Sequence, residues 1–203
     1  MTTIELDLDG YTDLPPGRIA NVVTYLERFE PPAGPRADLP EGYALLTVEA
    51  PDADAYIALY RRIGQEWLWF SRAVMPREAL AALLAAPSTE LLFLMRGDEP
   101  MGLCEIQRSG DDVEIAMFGV VPEATGAGVG KAFMAAALER IWTEGTRRVW
   151  LHTCTFDHPA AVHFYRRMGF TPYKFAIEVA RDPRLDGLLP ETAGTHVPLI
   201  REK

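Results

Sequence analysis

Residues 113–142, VEIAMFGVVPEATGAGVGKAFMAAALERIW, constrain the fold of this chain most, because they turn a strand pattern into a helix pattern through three closely spaced glycines. Residues 113–121 are largely β-branched or apolar and stop at Pro122, which has no N–H to give to a ladder. Residues 131–144 carry Phe133, Met134, Ala137, Leu138, Ile141 and Trp142 at intervals of three and four, one face of a helix. Between these patterns, Gly126, Gly128 and Gly130 let backbone N–H groups crowd together at a helix N-terminus with no Cβ in the way, which is the chemistry of a phosphate site. Two other phosphate loops fail by counting. A P-loop would need glycine at Thr125 and a hydroxyl at Ala132, and the dinucleotide fingerprint would need glycine at Lys131 or Ala127 rather than at Gly130. Taken alone, the stretch also fits a glycine-rich turn with no ligand.

The flanking patterns complete a sheet. Residues 90–96, 101–107 and 113–121 read as strands joined by the tight turns Gly97-Asp98-Glu99-Pro100 and Ser109-Gly110-Asp111-Asp112, an antiparallel meander. Residues 148–155 form a further strand, which a helical crossover sets parallel to 113–121. The expected fold is therefore α/β (α+β), a mixed, mostly antiparallel twisted sheet flanked by helices. Upstream, residues 43–49 form a short strand. Asp52 then caps a helix whose inner face is Tyr56, Leu59, Tyr60 and Ile63 and which Gly64 stops; residues 77–86 form a second. The connection QEWLWFSR clusters Trp67, Trp69 and Phe70, for which core packing is the ordinary use. Asp157-His158-Pro159 opens the last helix, with Asp157 or His158 as cap. Ala160, Ala161, Phe164, Tyr165 and Met168 form its inner stripe. Residues 1–42 hold the pairs Pro15-Pro16 and Pro31-Pro32 around the apolar run 19–26, whose spacing fits a helix and whose β-branching fits a strand. We take it as a strand at the sheet edge, within an N-terminal extension (1–42) packed on a domain formed by 43–203.

Two ordered motifs carry a family resemblance. Thr125-Gly126-Ala127-Gly128-Val129-Gly130 resembles the acyl-CoA loop of the GNAT N-acetyltransferases, Gln/Arg-x-x-Gly-x-Gly/Ala, with Thr125 in place of the long polar residue. HPAAVHFYRRMGFTPY resembles the family's second signature, Asn-x-x-Ala-x-x-x-Tyr followed by a glycine-aromatic pair, with His158 in place of Asn. The resemblance covers about residues 43–179, and the tail from Asp182 departs from the family's closing hairpin. It implies acetyl-CoA as co-substrate and a small amine as acceptor. It also implies that the loop from Thr125 to Lys131, with His158, holds the pyrophosphate, and that the backbone of Phe118, Gly119 and Val120 pairs with the pantetheine arm. Tyr165 would protonate the leaving thiolate. The base would be Glu114, on a segment resembling that of the histone-acetyltransferase branch, or Glu105, or a water chain. Trp67, Trp69, Phe70 and Arg72 would wall the acceptor pocket, Arg72 as a cation for the carboxylate of an amino-acid-like substrate. A non-catalytic acyl-CoA-binding regulatory module is the alternative.

Composition narrows the rest. Over 203 residues, 48% of them apolar, one well-packed domain is the expectation. A net charge of −9 opposes nucleic acid as a partner and leaves any anionic cofactor to a local, backbone-lined site. Two cysteines, no signal peptide and no long apolar span point to a cytoplasmic protein without disulfides or membrane segments. A second copy of the chain as partner is compatible with all of this. His152, Cys154, His158 and His163 offer no locally chelating pair, which argues against zinc.

Overall fold

The computed structural model describes residues 3–33, 38–126 and 128–201. In chain order the elements are β1 (Arg18–Arg28), β2 (Tyr43–Thr47), α1 (Ala53–Gly64), α2 (Arg77–Leu84), β3 (Thr89–Arg96), β4 (Glu99–Ser109), β5 (Asp112–Val120), α3 (Val129–Ile141), β6 (Arg148–Cys154), α4 (Ala161–Arg167) and β7 (Thr171–Arg181). The strands form one seven-stranded sheet in the order β2-β3-β4-β5-β6-β1-β7. The β3-β4-β5 meander is antiparallel, and β5 and β6, joined through α3, are the parallel pair. This is the mixed, mostly antiparallel sheet with flanking helices that the patterns predict.

Local chemistry accounts for the elements that frame the site. Asp52 Oδ1 accepts from the N–H groups of Asp54 (2.7 Å) and Ala55 (2.9 Å), which starts α1 and holds the Asp52 carboxyl below its ordinary pKa. From α1, Tyr56, Leu59, Tyr60 and Ile63 enter the main core beside Leu92, Leu103, Phe133 and Leu138.

The first strand corrects an expectation. β1 is a strand, but it lies inside the sheet, antiparallel to β6 on one side and to β7 on the other. Its residues Ile19, Asn21, Val23 and Leu26 are buried, whereas β7 is exposed along nearly its whole length, so the edge position falls to β7.

The tail after β7 folds back without forming a further strand. Leu189 and Ala193 join Ile19, Leu68 and Phe156 in a second small core. Leu68, almost fully buried, keeps a left-handed backbone (φ 54°), a strained state for leucine that this packing maintains. The tail is tied by Arg184, which donates to both carboxylate oxygens of Asp182 (2.9 and 2.7 Å) and to the carbonyls of Ala193, Gly194 and Val197. Both side chains are buried.

Burial alone would raise the Asp182 carboxyl pKa, but the Arg184 bonds outweigh it and the net shift is downward. The stability linked to this shift is therefore present above the ordinary carboxylate pKa near 4 and is lost as pH falls through the lowered folded value. Arg184→Met, which strands a buried carboxylate and three carbonyls, should cost about 3–5 kcal/mol in urea unfolding. Asp182→Asn should show less acid-dependent loss of stability below about pH 4 than the parent chain.

Candidate functional site

The site starts from a fault in the sheet. Parallel pairing between β5 and β6 covers only Asp112–Ile115 against Arg148–Leu151. At that point β5 bulges: Ile115 faces Ile106 and Met117 faces Glu105, which leaves Ala116 with no β4 partner. A bulge bends its strand and raises the local twist. Beyond it, Met117 to Val120 stay on β4 but have left β6, and a cavity of about 540 Å³ occupies the gap. Phe118, Gly119 and Val120 line this cavity, and on the side away from β4 their strand has no ladder partner. Gly119 is required there by contact, since a Cβ would come within 2.4 Å of Ile63.

The glycine loop forms one end. Thr125, Gly126, Gly128, Gly130 and Lys131 all line the cavity. Gly128 caps α3 with φ 78°, a conformation glycine adopts freely, and the first-turn N–H groups of α3 lie at this end. Thr125 spends its hydroxyl on Pro122 O (2.6 Å), so it braces the loop. Val129 turns its side chain into the core, and Ala127 lies outside the described residues.

The facing wall comes from α4 and the segment before it. Tyr165 lines the cavity, packed against Phe164 and Phe170, and no group among the described residues hydrogen-bonds its hydroxyl. Burial, then the charge of Asp157, holds that hydroxyl well above the ordinary phenol pKa, so it stays protonated. His158 accepts the N–H of Ala160 on Nδ1 (3.0 Å) and packs its ring on Trp67. Asp157 is a tie between elements: it accepts from Trp69 Nε1 (2.7 Å), Thr153 Oγ1 (2.5 Å) and Cys154 N (2.9 Å). Trp67, Trp69 and Phe70 all reach the cavity. Cys154 does too, but burial and Asp157 push its thiol up to about 12, which leaves it protonated and a poor nucleophile at neutral pH.

Three further expected residues are placed elsewhere. Arg72 is absent from the cavity lining. Its guanidinium grips the fully buried Glu105 through Nε (3.1 Å) and Nη2 (2.6 Å), and Tyr56 and Gln107 donate to the same carboxylate. Neither Arg72 nor Glu105 is therefore free for a substrate. Glu114 is also absent from the lining; it stands 3.7 Å behind Nδ1 of His152, which does line the cavity. Sequence reasoning weighed His152 only as a metal ligand and passed over Asn21 and Glu178. Asn21 carried a signal, because it is the polar member of the inward row Ile19, Asn21, Val23. Glu178 carried none, because charged residues are ordinary on an exposed edge strand. Among the described residues, no three His, Cys, Asp or Glu side chains gather as a metal-ligand group, and no helix is long and apolar enough to cross a membrane.

The model of the acetyltransferase (GNAT) family matches residues 55–170. The mycothiol acetyltransferase of Pseudarthrobacter chlorophenolicus is 31% identical over 164 residues, which is 75% of this chain and 49% of that protein. The mycothiol acetyltransferase of Streptomyces griseus is 28% identical over 150 residues, 67% of this chain and 45% of that protein. The chain thus spans about half the length of these relatives. In fold, it is similar to a GCN5-related N-acetyltransferase from Sphaerobacter thermophilus (TM-score 0.60, 18% identity, 82% of this chain and 52% of that one). A tandem GNAT protein from the clavulanic acid biosynthesis pathway is similar at TM-score 0.59 and 17% identity, over 89% of this chain and 62% of that one.

Gly130 offers a clean probe of the loop. It lies in α3, outside the left-handed region, and a Cβ there meets nothing within 4 Å. Gly130→Val should therefore fold with an unchanged melting temperature while blocking the approach to the first-turn N–H groups. Acetyl-CoA affinity measured by calorimetry should fall at least about tenfold, a loss of about 1.4 kcal/mol. Unchanged affinity would contradict the assignment of this end to phosphate.

Proposed function

Because the chain belongs to the acetyltransferase (GNAT) family, we propose that it moves an acetyl group from acetyl-CoA to the primary amine of a small acceptor, by direct attack with both substrates bound. The observation that carries this reading is the parting of β5 from β6 beyond Ile115, with a glycine-capped helix at one end of the gap and the protonated Tyr165 on its wall. The residues fit the group. An open strand edge can pair with an amide-bearing arm, a helix N-terminus with Lys131 beside it can take a pyrophosphate, and glycine keeps Cβ atoms out of the way. When bound, acetyl-CoA supplies an activated acetyl group and a thiolate leaving group.

The chain's own residues do the remainder. The β5 backbone from Phe118 to Val120 orients the arm and offers N–H groups toward the acyl oxygen. The acceptor nitrogen forms the C–N bond as the C–S bond breaks. Its proton passes to the His152 imidazole, with the Glu114 carboxylate behind the ring, which is how Glu114 takes part from outside the cavity. The Tyr165 hydroxyl holds the proton that the departing sulfur takes. Transfer through an acyl-cysteine is disfavoured by the high thiol pKa of Cys154. The relatives' name makes a mycothiol-related amine one acceptor to test. With Arg72 committed to Glu105, a carboxylate on the acceptor loses the cation expected for it.

Tyr165→Phe removes one hydroxyl and keeps the ring packing, so acetyl-CoA affinity should hold while the single-turnover rate falls by about a hundredfold or more. A purely structural tyrosine would instead lower the melting temperature and leave the rate per folded molecule unchanged. Acetyl-CoA binding without thiol release across an amine panel would favour the non-catalytic module.

A further inference from the structure

Away from the glycine loop, the cavity lining carries two carboxylates and, among the described residues, no cationic Lys or Arg side chain. Among the described residues lining the cavity, three carry a full charge: Lys131 at the loop, and Asp157 and Glu178. Asp157 is occupied by Trp69, Thr153 and Cys154. Glu178, on β7, makes no ion pair among the described residues. It sits cross-strand from Asn21 on β1, whose Nδ2 donates to Glu178 Oε2 at 2.8 Å. That bond sets the orientation of the amide, since an amide oxygen turned to the carboxylate would be repelled. Asn21 Oδ1 is left buried without a hydrogen-bond partner, on a side chain only 4% exposed that lines the same cavity. An orphaned buried acceptor beside an unpaired carboxylate calls for a ligand that brings N–H donors and positive charge.

Strand order says which part of the ligand this is. Adjacent strands lie about 4.8 Å apart, so β7 is about 10 Å from β6, and Glu178, level with Asn21, lies a further four residues, about 13 Å, along the sheet from the row of Tyr25 and His152. Glu178 is thus too far round the sheet to serve the reacting nitrogen and is suited to a second one. Between the two ends the lining includes Val23, Leu68, Phe70 and Phe156, an apolar surface that suits a methylene chain. Resting on the acetyltransferase reading above, we propose that the acceptor is an aliphatic diamine or polyamine. Its second, protonated nitrogen is held by Glu178 and Asn21 Oδ1 while its neutral nitrogen faces the gap.

Titration calorimetry of the full chain with 1,8-diaminooctane tests the site without requiring turnover. The diamine should bind the parent chain at least about tenfold more tightly than it binds Glu178→Gln, an exposed and nearly isosteric change that should leave the melting temperature unchanged. Equal affinities for the two chains would overturn the proposal. Octylamine, whose single nitrogen cannot serve both ends at once, is the monoamine for turnover. Thiol release from acetyl-CoA with the same amines is read in parallel. Release at equal kcat/KM for both amines would overturn the diamine proposal alone. A tight, Glu178-dependent diamine site with no thiol release would uphold the site and overturn the transferase reading.

Discussion

A seven-stranded sheet normally satisfies the backbone of each inner strand on both sides, and the extra residue at Ala116 breaks that rule at one place. Up to Ile115 and Leu151 the sheet is continuous; past them, β5 keeps β4 and β6 keeps β1, but β5 and β6 no longer pair. The cost of an unpaired inner edge would be prohibitive if the gap collapsed onto side chains. The gap stays open because the surrounding groups are held rigidly from behind. Phe118 stacks on Phe133 from α3 and Phe164 from α4, so both helices brace the bent strand.

Buried ionic ties hold the walls in the same way. Arg72 and Glu105 pin the connection after α1 to the underside of β4, which fixes Trp69 and Phe70 at the cavity without contributing a charge to it. Asp182 and Arg184 fold the tail onto Leu68, and His196 of the tail reaches the Phe156 carbonyl and the Trp67 ring. The polar ends of the cavity can then carry opposite charge, Lys131 at the glycine-loop end and Glu178 at the other. The positive end is thus local, set against an overall charge of −9.

Much of this was legible in the sequence where local rules govern. The meander, the crossover through α3, the Asp52 cap and the glycine loop all rest on periodicity, turn chemistry or spacing within a few residues. The position of β1 was not, because an apolar run does not say which strands will flank it. The bulge left no mark either, since Ala116 is an ordinary strand residue whose extra count appears only against β4. Arg72 was misplaced for a related reason. A cation beside aromatic residues reads equally well as a ligand contact or as half of a buried pair, and only the arrival of Glu105 from β4 decides.

The central claim is that the open edge of β5, together with the loop before α3, receives acetyl-CoA. Backbone hydrogen exchange with and without acetyl-CoA reads that edge directly, because amides lacking ladder partners exchange readily until a ligand pairs with them. The account predicts new protection concentrated in residues 116–120 and in the first turn of α3, with β3 and the β4 side of the sheet unchanged. Protection confined to other elements, or none at saturating acetyl-CoA, would contradict it.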